Sequence, residues 1–488
     1  MTDTKGAGPG ADGKALLEQV LETLNVTTSD AAAPAYMKAL GEFVGQMARE
    51  GGAVVKVDRQ ALDAMIRSID ERLEAQVNEI LHHPKVQKLE SAWRSLRFVV
   101  DRINFTQNIR LDLLDVDRDT LQAEAEEYPA DVTGSGLYKI AYSSAYGIHG
   151  GKPYGVMNLD LALGPLARDV GLMQYVARVA SIAHIPTFAN AAPDMFRKKG
   201  FERMEGMSDL KALFDKGPEY AAWKSFRASE EARYLGLCMP RFLLRLPYDA
   251  KEKPVESFSF NEDVTGKHQN YLWGMASNTM ITRVADSFAK YGWAPNIIGP
   301  QSGGTVGDLP LHHYPAMGEI QTKIPTETEI PDPLELELSE EGFIPLVYRK
   351  ESNNACFMSA NSVQAPKKFE GSPTADANHR LGTQLPYMFI ITRLAHYIKM
   401  LQREQIGSWK ERSTLERELN TWIGQYVSDM DDPAPAVRAR RPLREAQVTV
   451  EDVEGQPGWY QCGIRVRPAF KYMGAAFTLS LVGKLDKK

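Results

Sequence analysis

Apolar positions along the chain switch between helical and strand periods. In KALLEQVLETLN, the residues Leu16, Leu17, Val20, Leu21 and Leu24 recur at helical spacing, which predicts one apolar stripe on a short helix over 15–25. Its flanks, MTDTKGAGPGADGK and TTSDAAAPA, hold too few apolar groups to offset the entropy of ordering. Residues 1–57 therefore read as a flexible tail around one amphipathic helix. A helix this short is marginal alone, so its stripe is buried either on its own domain or in a partner's groove. From residue 58, Leu62, Met65, Ile66, Ile69, Leu73, Val77, Ile80 and Leu81 keep helical period until Pro84. Val86, Leu89, Trp93, Leu96, Val100 and Ile103 predict a second helix, and the two read as a helical hairpin followed by an alternating strand, IRLDLLDV.

Further on, YKIAYSSAYG and YGVMNLDL read as strands, then a helix over 169–185, then the strand TFANA. Short strands alternating with longer helices predict a partly parallel sheet. A helix over 269–291 leads into a loop dense in Gly, Pro, Ser and Asn, NIIGPQSGGTVGDLPLHHYPAMG. An acidic segment over 327–341 precedes two strands, FIPLVYRK and ACFMSANSV, and residues 365–378 read as a boundary. Two helices, 382–405 and a strongly charged 409–427, lead to a C-terminal end that is all strand: EAQVTVEDV, WYQCGIRVRP and GAAFTLSLVGKL. The expected class is mixed α+β, divided as 1–57, 58–365 and 366–488.

Composition narrows the function more than the fold. The 488 residues are 43% hydrophobic and 25% charged, the balance of a folded protein with a large core. Lys+Arg 57 against Asp+Glu 63 gives a formal charge of −6, which excludes binding nucleic acid or anionic lipid through bulk positive charge. The three cysteines, Cys238, Cys356 and Cys462, are too scattered for a disulfide framework, which fits a reducing cytoplasm. The N-terminus has no apolar leader and no run of about 18 apolar residues follows, so neither secretion by signal peptide nor membrane insertion is expected.

The motifs that hint at chemistry are each incomplete. Gly8, Gly13 and Lys14 have phosphate-loop spacing, but Ala15 lacks the hydroxyl that holds magnesium and no strand precedes it. Asp115, Asp117, Asp119 and Glu126 match calcium-loop positions, with Thr120 where glycine is needed; a strand end and a capped helix explain these acids as well. The pairs His82 with His83 and His312 with His313 lack metal-ligand spacing and read as structural. Ser302 has Pro300 where a nucleophile elbow needs glycine. Arg438, Arg440, Arg441 and Arg444 form a basic cluster without interleaved aromatics, better suited to carboxylates than to nucleic acid. No catalytic set, metal site or cofactor is expected, and an α/β enzyme would have to hide at the Gly-rich loop 299–307.

Longer blocks carry a resemblance. WRSLRFVV, DVGLMQYVARVASIAHIPTFANAAPDMF, SEEARYLGLCMPRFLLRLPY, YGWAPNIIGPQSGGTVGDLPLHHYPAMGEIQTKIPTE and LGTQLPYMFIITRLAHYIKMLQREQIGSWKERSTLERELNTWI resemble the large subunit of the type VI secretion contractile sheath, as does the ending RRPLREAQVTVEDVEGQPGWY. The similarity runs from about Leu16 to the end of the sequence. It implies a structural protein that pairs obligately with a small sheath subunit and stacks with copies of itself around an inner tube protein. The sheath would sit in the bacterial cytoplasm on a membrane-anchored baseplate and drive the tube outward by contracting. It also implies that a hexameric AAA+ disaggregase grips the helix bearing Leu16, Leu17, Val20, Leu21 and Leu24. The charged helix, with Lys410, Glu411, Arg412, Glu416, Arg417 and Glu418, resembles the tube-facing region of such sheaths, though an ordinary solvated face explains its charges equally. The terminal strands, with Val448, Val450, Ile464, Val466, Phe477, Leu479 and Leu481, would exchange strands with neighbours. A bacteriophage-type sheath subunit is the nearer alternative, but those usually build the unit from one chain.

Overall fold

The computed structural model describes residues 59–251, 258, 260–316, 318–369, 372–404, 412–428, 430, 434–452, 460–469 and 479–484. The chain divides into one unit of residues 1–77 with 255–260 and a second of residues 78–254 with 261–488. The described part of the first unit is the start of helix α1 (Arg59–Leu81), with Phe258 and Phe260 stacked on each other. The fold is mixed α+β.

The second unit is organised by a six-stranded sheet in the order β1 (Met157–Leu163), β2 (Thr187–Ala191), β3 (Leu235–Met239), β9 (Phe343–Tyr348), β10 (Ala355–Phe357) and β6 (Thr305–Val306); β4 (Phe242–Leu243) pairs with β5 (Trp273–Gly274) and β7 (His312–Ala316) with β8 (Glu319–Lys323) outside it, and helix α6 (Asp332–Glu340) leads into β9. The first four strands are parallel, as the alternation of strands and helices predicts, and β10 runs antiparallel to both β9 and β6. Helix α4 (Ala167–Ala183) makes the crossover between β1 and β2, and helix α3 (Arg118–Glu127) lies against it. Period-two geometry divides the buried strand residues between two layers. Ala189, Ala191, Leu237, Met239 and Phe343 face a core shared with Val176 and Val179 of α4. Phe188, Cys238, Ile344 and Leu346 face a second core with Met280 and Val284 of helix α5 (Ala276–Tyr291) and Val99 of helix α2 (Pro84–Arg102). Buried Asn190 fixes the layers together: it donates to Ser277 Oγ at 2.9 Å and accepts from Ser277 N at 2.8 Å at the start of α5.

Helix α7 (Leu385–Glu404) serves two cores. Leu385, Met388 and Phe389 enter the second sheet core, while Ile390, Ile391, Leu394 and Ile398 enter a third, C-terminal core. A Cβ at Gly236 would sit 2.6 Å from Leu385 Cδ1, so this glycine lets the helix rest on the strand backbone. The third core closes over a sheet of β11 (Leu443–Asp452), β12 (Tyr460–Pro468) and β13 (Leu479–Lys484), antiparallel throughout, with β12 central. Helix α8 (Arg412–Gly424) covers one side through Leu415, Leu419 and Ile423.

Two expectations fail, each for a physical reason. YKIAYSSAYG is helical, a turn at Gly136–Tyr138 running into a wider helical segment at Lys139–Ser144, because its apolar groups also satisfy i, i+4 spacing. Leu137 and Ala141 are buried, and Tyr138, Tyr142 and Tyr146 follow one another at centroid distances of 5.1 and 5.4 Å. IRLDLLDV forms no strand, because among the described residues no ladder partner lies beside it. Helix α2 buries Ser95 and turns Val99 onto the second core, with Leu89, Trp93 and Val100 exposed.

Candidate functional site

The features with functional promise gather on the C-terminal sheet and on α8. The edge strand β11 is bound by α8 through side chains that imitate a neighbouring strand. Asn420 Nδ2 donates to Val448 O at 2.7 Å, and Asn420 Oδ1 accepts from Val448 N at 2.9 Å. Glu416 Oε2 accepts from Val450 N at 3.4 Å. The outer backbone groups of β11 around Val448 are thus already satisfied inside the chain. Replacing Asn420 by Ala is expected to cost about 1–3 kcal/mol, because it leaves a buried N–H and C=O unpaired. Denaturant titration gives that loss, and faster amide exchange at Val448 locates it.

The sequence-nominated residues separate by side. Val448, Val450, Ile464 and Val466 turn their side chains into the chain's own C-terminal core, so any strand exchange would use main-chain edges. Leu479 and Leu481 pair through the backbone with Val466 and Ile464, which leaves the other side of β13 without a strand among the described residues. On α8, Arg412, Arg417 and Glu418 are exposed while Glu416 is engaged at β11. Lys410, Glu411, Phe477 and the stripe Leu16, Leu17, Val20, Leu21 and Leu24 lie outside the described residues.

The motifs with chemical overtones are occupied by structural work. Gly299 N donates to Phe357 O at 2.8 Å, and Gly304 N donates to Gly299 O at 2.9 Å. A Cβ at Gly303 would lie 2.2 Å from Asn296 O, and one at Gly304 2.5 Å from Phe357 O, so glycine here permits close backbone approach. Asp117 caps α3, its carboxylate accepting from Thr120 N at 2.6 Å. Among the described residues no group of three or more His, Cys, Asp or Glu side chains is placed to hold a metal. His82 meets Glu262 at 3.3 Å, His312 meets the Tyr271 hydroxyl at 2.9 Å, and His83 Nδ1 caps α2 by accepting from Lys85 N at 3.3 Å.

Sequence reasoning missed two polar networks because their members are distant in the chain. In one, buried Glu327 takes a bidentate pair from Arg241 at 2.7 and 2.6 Å and meets His268 at 3.2 Å. Burial alone would raise this carboxyl, but Arg241 and His268 overcome it and hold it down at about 2. In the other, His396 on α7 donates through Nε2 to Ala183 O at 2.8 Å, at the end of α4, and packs against Tyr146 at 4.9 Å. Its neighbour His184 lies 3.4 Å from the Tyr234 hydroxyl. Burial first, then Lys399, pushes His184 down to about 4; burial, His184, Arg393 and Lys399 push His396 down to about 3 despite its bond to Ala183.

Both histidines are therefore neutral when folded and bind protons near pH 6.5 when unfolded. The unfolded chain gains protons first, so stability is complete above pH 6.5 and falls as pH drops toward 4. Each histidine contributes at most about 1.4 kcal/mol per pH unit in that window. Chemical denaturation from pH 7.5 to 4.5 is expected to show this slope, and His396→Gln is expected to flatten it. An unchanged slope in that variant would remove His396 from the account.

The family comparisons bear on both modules. Residues 63–364 match the tail sheath N-terminal domain of the EvpB/VC_A0108 family, and residues 374–485 match the tail sheath gpW/gp25-like domain of the same family. A type VI secretion system sheath protein, TssC1 of Pseudomonas aeruginosa, is 38% identical over 432 residues, covering 87% of this chain and 86% of that protein. The chain belongs to the TssC/VipB family of large type VI sheath subunits. It is a structural sheath subunit by family, and helix α7, which lies within the second matched region, places one end in the second sheet core and the other in the C-terminal core. No helix among the described residues is long and apolar enough to cross a membrane.

Proposed function

We propose that this chain is the large subunit of a contractile type VI sheath. It forms an obligate heterodimer with a small sheath subunit, stacks with copies of itself into a tube around the inner tube protein, and contracts to drive tube and effectors into a target cell. It works in the bacterial cytoplasm on a membrane-anchored baseplate, needs no cofactor, and is not an enzyme. The observation that carries this reading is the family match across both modules together with 38% identity over 87% of the chain. Co-expression with the small subunit is the test: the two chains are expected to copurify in equal amounts, and a large subunit that behaves identically alone would contradict it.

The C-terminal geometry supports a division of labour in the lattice. With β11 covered by Asn420 and Glu416, the outer edge of β13 is the side on which a neighbour's strand would add. Main-chain hydrogen bonds would keep subunits linked while rigid bodies rotate between two packings. The exposed charges Arg412, Arg417 and Glu418, with Lys410 and Glu411 beside them in sequence, would grip the tube through many weak contacts of about 0–1 kcal/mol each, which permits release. The N-terminal stripe is assigned to an AAA+ disaggregase that recycles contracted sheaths. Leu17→Asp and Leu21→Asp are each expected to leave sheath assembly intact and abolish capture of that disaggregase, read by pull-down with contracted sheaths. Capture that survives both changes would sink the assignment.

A further inference from the structure

We propose that Lys323 is a site of covalent modification, a reactive amine in an open cavity that takes an uncharged short acyl group from an activated donor, a thioester or an acyl phosphate. The cavity, about 520 Å³, lies at the base of the β7–β8 hairpin. Val264, Tyr271, Glu327 and Thr328 on its walls are buried, while Glu202, Arg203, Glu205 and Glu329 are exposed at its mouth. All of these residues belong to one chain, so the site does not depend on assembly.

Lys323 ends β8 and is held differently from the lysines of the surface. Lys224, Lys267, Lys290, Lys350 and Lys367 each meet a carboxylate, at distances between 2.5 and 3.1 Å. Lys323 meets no carboxylate at ion-pair distance among the described residues. Its Nζ donates instead to His268 Nδ1 at 2.7 Å and lies 5.7 and 5.3 Å from the ring centres of Tyr271 and Trp273. With Nδ1 accepting, the His268 proton sits on Nε2, which donates to Glu327 Oε1 at 3.2 Å. Arg241 grips Glu327 from behind, and Trp273 stacks on the His268 ring at 4.9 Å. Carboxylate, imidazole and amine therefore stand in line, with the acid orienting the base and the base facing the nucleophile. Burial pushes the Lys323 amine down, against the charges of Glu202 and Glu327.

Transfer starts from the neutral amine. Its lone pair forms a C–N bond to the donor's carbonyl carbon, and the carbon–sulfur or carbon–oxygen bond breaks. His268 Nδ1 accepts the amine proton and returns it to the departing thiolate or phosphate, while Glu327 stabilises the transient imidazolium. Nothing is oxidised or reduced. Charge selects the group: Glu202, Glu205, Glu327 and Glu329 surround a product that is a neutral amide, whereas a carbamate or a succinyl group would bring another negative charge among them. Val264, Tyr271 and Ile324 offer apolar surface to a short chain. The other polar groups around the amine are already engaged: Lys267 with Asp263 at 2.5 Å, Glu205 with the Thr328 hydroxyl at 3.2 Å, Glu329 with Lys350 at 3.1 Å, and the Tyr271 hydroxyl with His312 at 2.9 Å. Glu202 stands 3.7 Å from His268 Nε2, and Arg203 lies at the mouth.

The test incubates the purified full chain with acetyl phosphate and, separately, with acetyl-coenzyme A over a range of pH, and follows each lysine by mass spectrometry. Lys323 is expected to be acetylated about tenfold or more faster than Lys290 and Lys350 by at least one donor, and the donor that works identifies the source. Succinyl-coenzyme A is expected to react there more slowly than acetyl-coenzyme A. His268→Gln keeps an acceptor and a donor but takes up no proton. It is expected to slow Lys323 by about tenfold or more while Lys290 keeps its wild-type rate. Its rate at Lys323 is also expected to fall less steeply toward low pH, since only the amine then titrates; a histidine that merely props the lysine would leave that profile unchanged. Wild-type Lys323 reacting no faster than Lys290 with either donor, an unchanged profile in His268→Gln, or succinyl transfer as fast as acetyl would overturn the inference and leave the sheath reading standing.

Discussion

Replacing Arg245 by methionine is expected to cost the fold about 3–5 kcal/mol, because it strands two acids in a place with little water. Arg245 binds Glu262 at 2.5 and 3.1 Å and Glu90 at 2.8 and 3.4 Å, and the three side chains are 10%, 1% and 17% exposed. Burial alone would lift the Glu90 carboxyl, but the hydrogen bonds and charge of Arg245, then of Arg94, hold it below the usual range. Burial likewise works against the Arg245 cation, and Glu262 and Glu90 more than offset it. The network also positions: Glu90 belongs to α2, and Glu262 also accepts from Tyr248 N at 3.0 Å, so the cluster fixes the helix that presents Leu89 and Trp93 to the outside. Chemical denaturation gives the cost. A loss under about 1 kcal/mol would mean that water reaches the cluster and screens it as it does at a surface.

Phe343→Ala is expected to cost a similar 3–5 kcal/mol through a different mechanism, the cavity left at the middle of the sheet. Phe343 is fully buried on β9, and its ring lies 5.0 Å from Phe196, 5.7 Å from Phe214 and 5.9 Å from Trp223. These partners sit on three separate short helices of the β2–β3 connection, so collapse into the space would have to move all of them, which keeps the cavity open. Thermal unfolding of the variant is expected to show a lowered midpoint with an unchanged cooperative transition. Phe343→Leu is expected to recover most of the loss, since it restores much of the volume.

What the sequence disclosed follows from how local each signal is. The strands β1, β2, β9 and β10 and the helices α4 and α7 announce themselves through period and through turn residues. The C-terminal strands alternate cleanly because one face of each is buried in a single core. Strand β3, buried along its whole length, has no alternation to read and emerged only from its pairing with β2 and β9. The tyrosine-rich segment around 138–146 fits both periods, and packing on α7 decided it: Lys399 donates to the Tyr142 hydroxyl at 2.5 Å and lies over the Tyr146 ring. The polar clusters joining Glu90 to Arg245 and Ala183 to His396 span 155 and 213 positions, a separation that no motif can encode. For the assembly site, the blocks of family resemblance supplied the role. The structure added that α8 side chains meet β11, whereas the side of β13 away from β12 carries no strand among the described residues.

One measurement tests the central claim most directly. The full chain and the small sheath subunit, co-expressed, purified and viewed by electron microscopy, are expected to yield hollow tubular polymers of regular width in which both chains are present, with neither chain forming them alone. Discrete globular particles, with no tubes from the pair under any condition that keeps both chains soluble, would contradict the account.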